Sequence, residues 1–236
     1  MIIKIAGLLI DVKNKYSYFS QMARGFEAEG EADFSVEVPQ NVIEKAVAQN
    51  PEYSEGYVES LEIYRIICRR ILEYDAMLMH CAAICVDGEA YLFTAVSGTG
   101  KTTHISLWME KFGDRCFVVN GDKPILRQVN GKFYACGTPW RGKENYGSNL
   151  NVPIKAVCIL ERGEKNEIEK IPAHEAISTV ITQTLRTNDM YEMEKMLTLS
   201  DKLLTSVPFY RLKCNMEKEA ADVSYEGMKG VNPYVF

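Results

Sequence analysis

The chain has 236 residues, 47% hydrophobic and 25% charged, an ordinary globular composition and enough length for one substantial domain or one domain with a small appendage. Its net charge of -5 argues against a general nucleic-acid-binding surface, and no apolar run approaches the roughly 20 residues that a membrane helix needs. Seven cysteines, most of them in apolar runs such as RCFVV and KAVCIL and none in a C-x-x-C pair, read as reduced, buried thiols of a cytoplasmic protein rather than a disulfide framework or zinc site.

The opening stretch, MIIKIAGLLIDV, lacks the charged flank and small-residue cleavage site of a signal peptide and reads as a first strand. Residues 13–53 are the least regular part; within them FEAEGEADFSVEV turns from acidic to strand-like alternation. Residues 54–74 space Val58, Leu61, Tyr64, Cys68, Ile71 and Leu72 as a helix does, with Ser54 placed to cap it. MLMHCAAICV and EAYLFTA flank Asp87-Gly88 and predict a hairpin. HISLWMEKF then reads as a helix and RCFVVN as a buried strand. PILRQV and KFYAC form a second hairpin around Asn130-Gly131. A strand follows at 154–161. Residues 172–206 are mostly helical, with a break near Asn188-Asp189 and a Met-rich stretch at 189–199 that reads as core packing. PFYRLKC is a late strand, and EKEAADVSYEGM closes the chain as a helix.

A doubly wound parallel sheet would put a helical crossover where this chain has hairpins. The expected class is therefore α/β with a mixed sheet. One domain spans residues 76–236, and residues 1–75 supply N-terminal strands and a helix packed on it.

The second strand of the first hairpin runs into Ala95-Val96-Ser97-Gly98-Thr99-Gly100-Lys101-Thr102-Thr103, and a helix follows. Its form is close to G-x-x-x-x-G-K-[ST], the phosphate-binding P-loop. The glycines let backbone N–H groups turn inward toward phosphate oxygens, and the helix adds its N-terminal dipole. Lys101 reaches the β- and γ-phosphates, and the Thr102 hydroxyl is placed to ligate Mg²⁺. Ala95 stands where the pattern has its first glycine, which is tolerable if its φ is negative.

The Ser-Gly-Thr-Gly-Lys-Thr-Thr core resembles the loop of phosphoenolpyruvate carboxykinases and is similar to the Ser-Gly-x-Gly-Lys loop of HPr kinase/phosphorylases. Leu78-Met79-His80-Cys81-Ala82-Ala83 lies one hairpin upstream, like the Leu-His segment of the HPr kinases. VVNGD, ending at Asp122, lies where that group has an Asp-Asp pair, and Arg141-Gly142 falls near a family Arg-Gly. The likeness covers residues 76–161 and implies the PEPCK-like P-loop nucleotide-binding fold. Carboxykinases are much longer and need residues for a carboxylic acid and a second metal, so the HPr kinases are the better match.

That resemblance implies transfer of the γ-phosphoryl group of Mg-ATP to a serine-type hydroxyl on a protein or peptide. Ser97 to Thr103 would hold the nucleotide, Thr102 and Asp122 the metal. Asp122, His80, Lys101 and Arg141 would carry the chemistry. Lys143 is a further source of positive charge, and Trp140 or Tyr146 would pack on adenine or substrate. His104 and His174 read as structural, and the turn around Arg162 and Lys165 as solvated. Gly121 and Pro139 stand where the family places acids, with Glu144 as a nearby substitute. Those two positions favour a non-catalytic nucleotide-binding module as the alternative, and a hydrolase that passes the phosphoryl group of ATP to water is a third reading. No N-K-x-D motif reads the base, so ATP over GTP rests on the resemblance, as does an expected homo-oligomer.

Overall fold

In the computed structural model, residues 1–96, 98–184 and 187–230 are described. Strands β1 (Ile2–Ile5) and β2 (Leu8–Val12) are antiparallel, with Ile5 opposite Leu8. The N-terminal apolar run is therefore a hairpin and not the single strand expected. Ala6 (φ 54°) and Gly7 (φ 80°) both adopt the left-handed conformation that a two-residue hairpin turn requires. Helix α1 (Ser17–Met22) follows, then β3 (Phe34–Val36), which pairs parallel with β2. Helix α2 (Gln40–Gln49) begins after Pro39 in a stretch that reads as irregular, because its apolar stripe is only Ile43, Ala46 and Val47. Helix α3 (Glu55–Arg70) is capped as expected, the Ser54 side chain accepting from the Tyr57 N–H at 3.3 Å.

Strands β4 (Ala76–Leu78), β5 (Ala82–Val86) and β6 (Glu89–Thr94) come next, followed by α4 (Lys101–Phe112). Then come β7 (Cys116–Asn120), β8 (Ile125–Val129), β9 (Lys132–Cys136), β10 (Asn151–Arg162) and β11 (Glu167–Ile171). Helices α5 (Ala173–Gln183) and α6 (Met190–Ser206), strand β12 (Phe209–Cys214) and helix α7 (Glu219–Lys229) complete the described chain. The β5–β6 and β8–β9 hairpins turn at Asp87-Gly88 and Asn130-Gly131, all four residues at positive φ.

The nine-stranded sheet runs β4-β8-β9-β10-β6-β5-β7, with β12 and then β11 paired beyond β10. Its twelve-residue strand β10 serves two partners in turn. Asn151 to Pro153 pair antiparallel with β9, and from Ile154 onward the strand runs parallel to β6 and β12, with a register irregularity at Ile154/Ala156. The sheet is mixed, as the hairpins predict.

Side-chain alternation sorts the sheet into two buried faces. Ala83, Cys85, Leu92 and Val157 face α5 and α6, while Ile84, Phe93, Cys158 and Leu160 face α4 and α7. A third apolar cluster joins Phe19, Phe26, Ile43 and Ile67 of the N-terminal region to Leu78, Ile125 and Trp140. The Met-rich α6 contributes Met196, Leu199 and Leu203 to the core, but Met190 and Tyr191 are exposed. All seven cysteines are free thiols.

Glu59 is fully buried on α3, and its carboxylate oxygens accept from the N–H groups of Lys15 (2.7 Å) and Tyr16 (3.0 Å), just ahead of α1. Removing this acceptor leaves two backbone donors without a partner. Glu59→Ala is expected to cost about 2–4 kcal/mol, read as a lower urea midpoint with an unchanged slope. Glu59→Gln keeps one acceptor oxygen and should lose only part of that.

Candidate functional site

Strand pairing gathers four termini at one sheet edge. β6 and β10 run parallel, so the end of β6 and the end of β10 lie together. β5 is antiparallel to both β6 and β7, which brings the start of β5 and the end of β7 to the same edge, with Ala82 opposite Phe93 and Ala83 opposite Asn120. The glycine loop, His80, Asp122 and Arg162 extend from these four termini.

In the loop, Ala95 is buried and is not among the residues at positive φ, so the missing first glycine carries no strain. Ser97 lies outside the described residues. Gly98 (φ 80°) and Gly100 (φ 116°) are left-handed, and a Cβ at either would meet nothing within 4 Å, so the space above the backbone is open. Thr99 stiffens the turn through its N–H (3.2 Å) and hydroxyl (2.7 Å), both donated to the Val96 carbonyl. Gly100 caps α4 without a side-chain acceptor, and the first backbone donors of a helix have no partner within it. The amides that open α4 are thus left without a partner inside the helix, an arrangement that suits an anion.

His80 is held at both backbone groups. Its N–H donates to the Gln183 carbonyl (2.7 Å), and its carbonyl accepts from the Thr94 hydroxyl (3.1 Å). The ring is held as well, Nδ1 lying 2.9 Å from Gln183 Oε1 and Nε2 3.0 Å from Asp122 Oδ1. An ionised carboxylate only accepts, so Nε2 carries a proton in that pair. Asp122 is oriented from below by Asn120, whose Oδ1 accepts the N–H groups of Asp122 (2.9 Å) and Lys123 (2.7 Å). Asn120 is fully buried, and its amide donates to Thr138 Oγ1 (3.0 Å) and to the Thr138 carbonyl (3.2 Å).

A cleft of about 400 Å³ brings Lys101 and Thr102 together with His80, Asp122, Lys143 and Glu144. Gly142 (φ 75°) borders it so closely that a Cβ there would sit 3.0 Å from the Asp122 Cβ. A Cβ on Gly121 would stand 3.4 Å from the Tyr146 carbonyl oxygen and 3.5 Å from that of Arg141, a poor setting for a second carboxylate. Among the described residues no group of three His, Cys, Asp or Glu side chains is arranged to hold a metal. The Asp122 carboxylate and the Thr102 hydroxyl are nonetheless compatible with Mg²⁺, which usually keeps water and phosphate oxygens among its ligands.

Two expectations change. Arg141 is not brought to this cleft: its guanidinium lies 5.3 Å from the Phe26 ring centroid and donates to the Arg24 carbonyl at 3.4 Å. Trp140 is buried, 5.1 Å from Tyr64 and 6.0 Å from Phe19, and so has no free face for a base. Tyr146 keeps an exposed side chain, and its carbonyl accepts the Gly121 N–H at 3.0 Å. His104 is a core residue as expected, and burial pushes its pKa down to about 4. Sequence reasoning missed three residues. Arg162 is no free solvated side chain but donates Nη2 to the Gly98 carbonyl at 2.7 Å. Gln183 carries no local signal at all, whereas Asn120 stood two residues before Asp122 in a recognisable strand-end motif.

The Asp122 carboxyl is held below the usual carboxylate range, chiefly by the hydrogen bond from His80, with Lys123 and Lys101 adding to it and desolvation opposing. Because the folded value is the lower one, this stabilisation is complete above the unfolded pKa and is lost as pH falls through the folded pKa. Asp122→Asn should therefore lower the melting temperature at neutral pH, and the gap from the parent should close below about pH 4. A gap that stays constant down to about pH 2.5 would contradict this.

Among solved structures, the Hpr(Ser) kinase/phosphatase from Coxiella burnetii is similar at a TM-score of 0.37 and 11% identity, over 64% of this chain and 95% of that one. A likeness at that level carries no argument about fold or chemistry. No curated protein matches. Residues 47–220, which include the glycine loop, His80, Asp122 and Arg162, match the model of a family described as SynChlorMet cassette protein ScmC, and the chain belongs to that family.

Proposed function

We propose that the protein binds Mg-ATP on its glycine loop and transfers the γ-phosphoryl group to a serine-type hydroxyl of a protein or peptide, as the HPr kinases that its motifs resemble do. One observation carries the reading: Asp122, hydrogen-bonded to His80 Nε2 at 3.0 Å, shares a cleft with Lys101 and Thr102 of the loop.

ATP would supply the transferable phosphoryl group, and Mg²⁺ would neutralise charge on the phosphates. The loop amides and the Lys101 ammonium hold phosphate oxygens. The Thr102 hydroxyl and Asp122 would supply oxygen ligands to the metal. Among the described residues, Asp122 and Glu144 are the carboxylates that line the cleft, and Asp122 is the one placed to take a proton from an incoming hydroxyl. His80, donating from Nε2, orients the carboxylate for this. With Arg141 turned away, Lys143 is the side chain of the 137–149 segment that brings positive charge to the cleft.

The second reading is a non-catalytic nucleotide-binding module. It is favoured by Gly121 and Pro139, which stand where the resembled family carries acids.

Incubation with Mg²⁺, γ-labelled ATP and serine-bearing peptides or phosphocarrier proteins separates these readings. Label should appear on a serine of the acceptor. Lys101→Ala should reduce transfer by about 10²–10³-fold, and Asp122→Asn by about 10²–10⁴-fold. Nucleotide binding with neither transfer nor phosphate release would favour the regulatory module, and phosphate release alone would mark a hydrolase. The two basic residues should also part company. Lys143→Ala is expected to slow transfer by about tenfold or more, while Arg141→Ala should leave kcat within about threefold.

A further inference from the structure

We propose that Gln183 is the positioning residue of the Asp122 cleft: its side-chain amide seats the His80 ring so that Nε2–H stays aimed at Asp122. The consequence for catalysis rests on the phosphoryl-transfer reading, whereas the seat of the ring does not.

Gln183 meets His80 at two separate points. It is the last residue of α5, and the last carbonyls of a helix have no donor within it. The chain turns extended at Thr184 (φ -90°, ψ 156°), which forms an antiparallel bridge to Met79. Thr184 is buried there, its hydroxyl donating to the Ile181 carbonyl at 3.1 Å. That turn brings the Gln183 carbonyl to the His80 N–H at 2.7 Å. None of these contacts uses the Gln183 side chain. Its bond to His80 Nδ1, at 2.9 Å, is therefore a second hold that a substitution removes by itself.

The ring needs that hold. The His80 side chain is 35% exposed, so packing alone does not fix it. Among the described residues, only Gln183 and Asp122 make polar contact with the ring. A histidine χ2 has two wells about half a turn apart. The other well would set Cε1–H against Asp122 and Cδ2–H against Gln183, leaving both polar partners unanswered.

The residue type also matters. An ionised Asp122 only accepts, so Nε2 has to donate to it. At Nδ1 an amide answers either state of the nitrogen. Oε1 accepts from a protonated Nδ1, and after a half-turn the amide NH₂ donates to a bare one. Leucine would answer neither state, and a carboxylate only the first.

Ring NMR and transfer kinetics on the full chain test this. The chain has three histidines, so a His80→Asn variant identifies the His80 signals. The carbon-bound ring protons of His80 should give one set of signals in the parent. In Gln183→Leu that set should double or broaden as the ring samples both wells, and Gln183→Glu should restore one set. Unmoved His104 and His174 signals show that each variant is folded. With Mg-ATP and an acceptor, Gln183→Leu should lower kcat by about 10–100-fold while KM for ATP stays within about threefold. Gln183→Glu should recover most of that loss. Beside His80→Asn, Gln183→Leu should change kcat by no more than about twofold, because it acts through the ring. An unchanged set of His80 signals in Gln183→Leu would overturn the positioning role. A kcat loss that persists in full beside His80→Asn would overturn it too. If the parent transfers no phosphoryl group, the phosphoryl-transfer reading fails and the ring signals alone decide the seat.

Discussion

β10 has to satisfy two neighbours of opposite direction, and the position of the site follows from how it does so. Its first residues pair antiparallel with β9, and the rest run parallel to β6 and β12. Because the second part is parallel to β6, Arg162 emerges beside the loop that leaves β6, close enough to bind the Gly98 carbonyl. Because β5 and β7 are antiparallel in turn, His80 and Asp122 arrive at the same edge. Residues far apart in the chain thus meet at one edge, the usual location for a site in an open sheet.

Polar satisfaction then makes that edge rigid. Asn120 has no exposure, and burying an amide without partners would be costly. It spends its amide on Thr138 and its carbonyl oxygen on the turn that carries Asp122. His80 is tied through both backbone groups as well as its ring, so the carboxylate and its donor are placed before any ligand arrives. Such preorganisation is what a proton acceptor or a metal ligand needs.

The N-terminal region bears on the site indirectly. Trp140 is seated between Phe19 and Tyr64, and Arg141 turns to Phe26 and the Arg24 carbonyl. Anchoring those two residues in the N-terminal core leaves Lys143 and Glu144, one turn further on, to line the cleft. Lys123 joins the two regions again, 5.3 Å from the Tyr64 ring centroid and 3.6 Å from Asp122.

Local chemistry was legible in the amino-acid sequence. Asp87-Gly88 and Asn130-Gly131 predict their hairpins because few residues accept positive φ. Gly98, Gly100 and the following helix predict an anion-shaped loop for the same reason, and Ser54 predicts its cap. Where the signal was ambiguous, reading failed: Ala6 in a left-handed turn hid the first hairpin, and the short stripe of α2 hid a helix. The sequence by itself therefore determined the turns, the loop and the mixed sheet, each set by a few adjacent residues and their φ/ψ limits. Only the tertiary structure decided which distant side chains meet. It bound Arg162 to Gly98 and Gln183 to His80, and it turned Arg141 away while leaving Lys143 at the cleft. Those choices follow from strand direction and from what each side chain finds to pack against, and neither is written in local spacing.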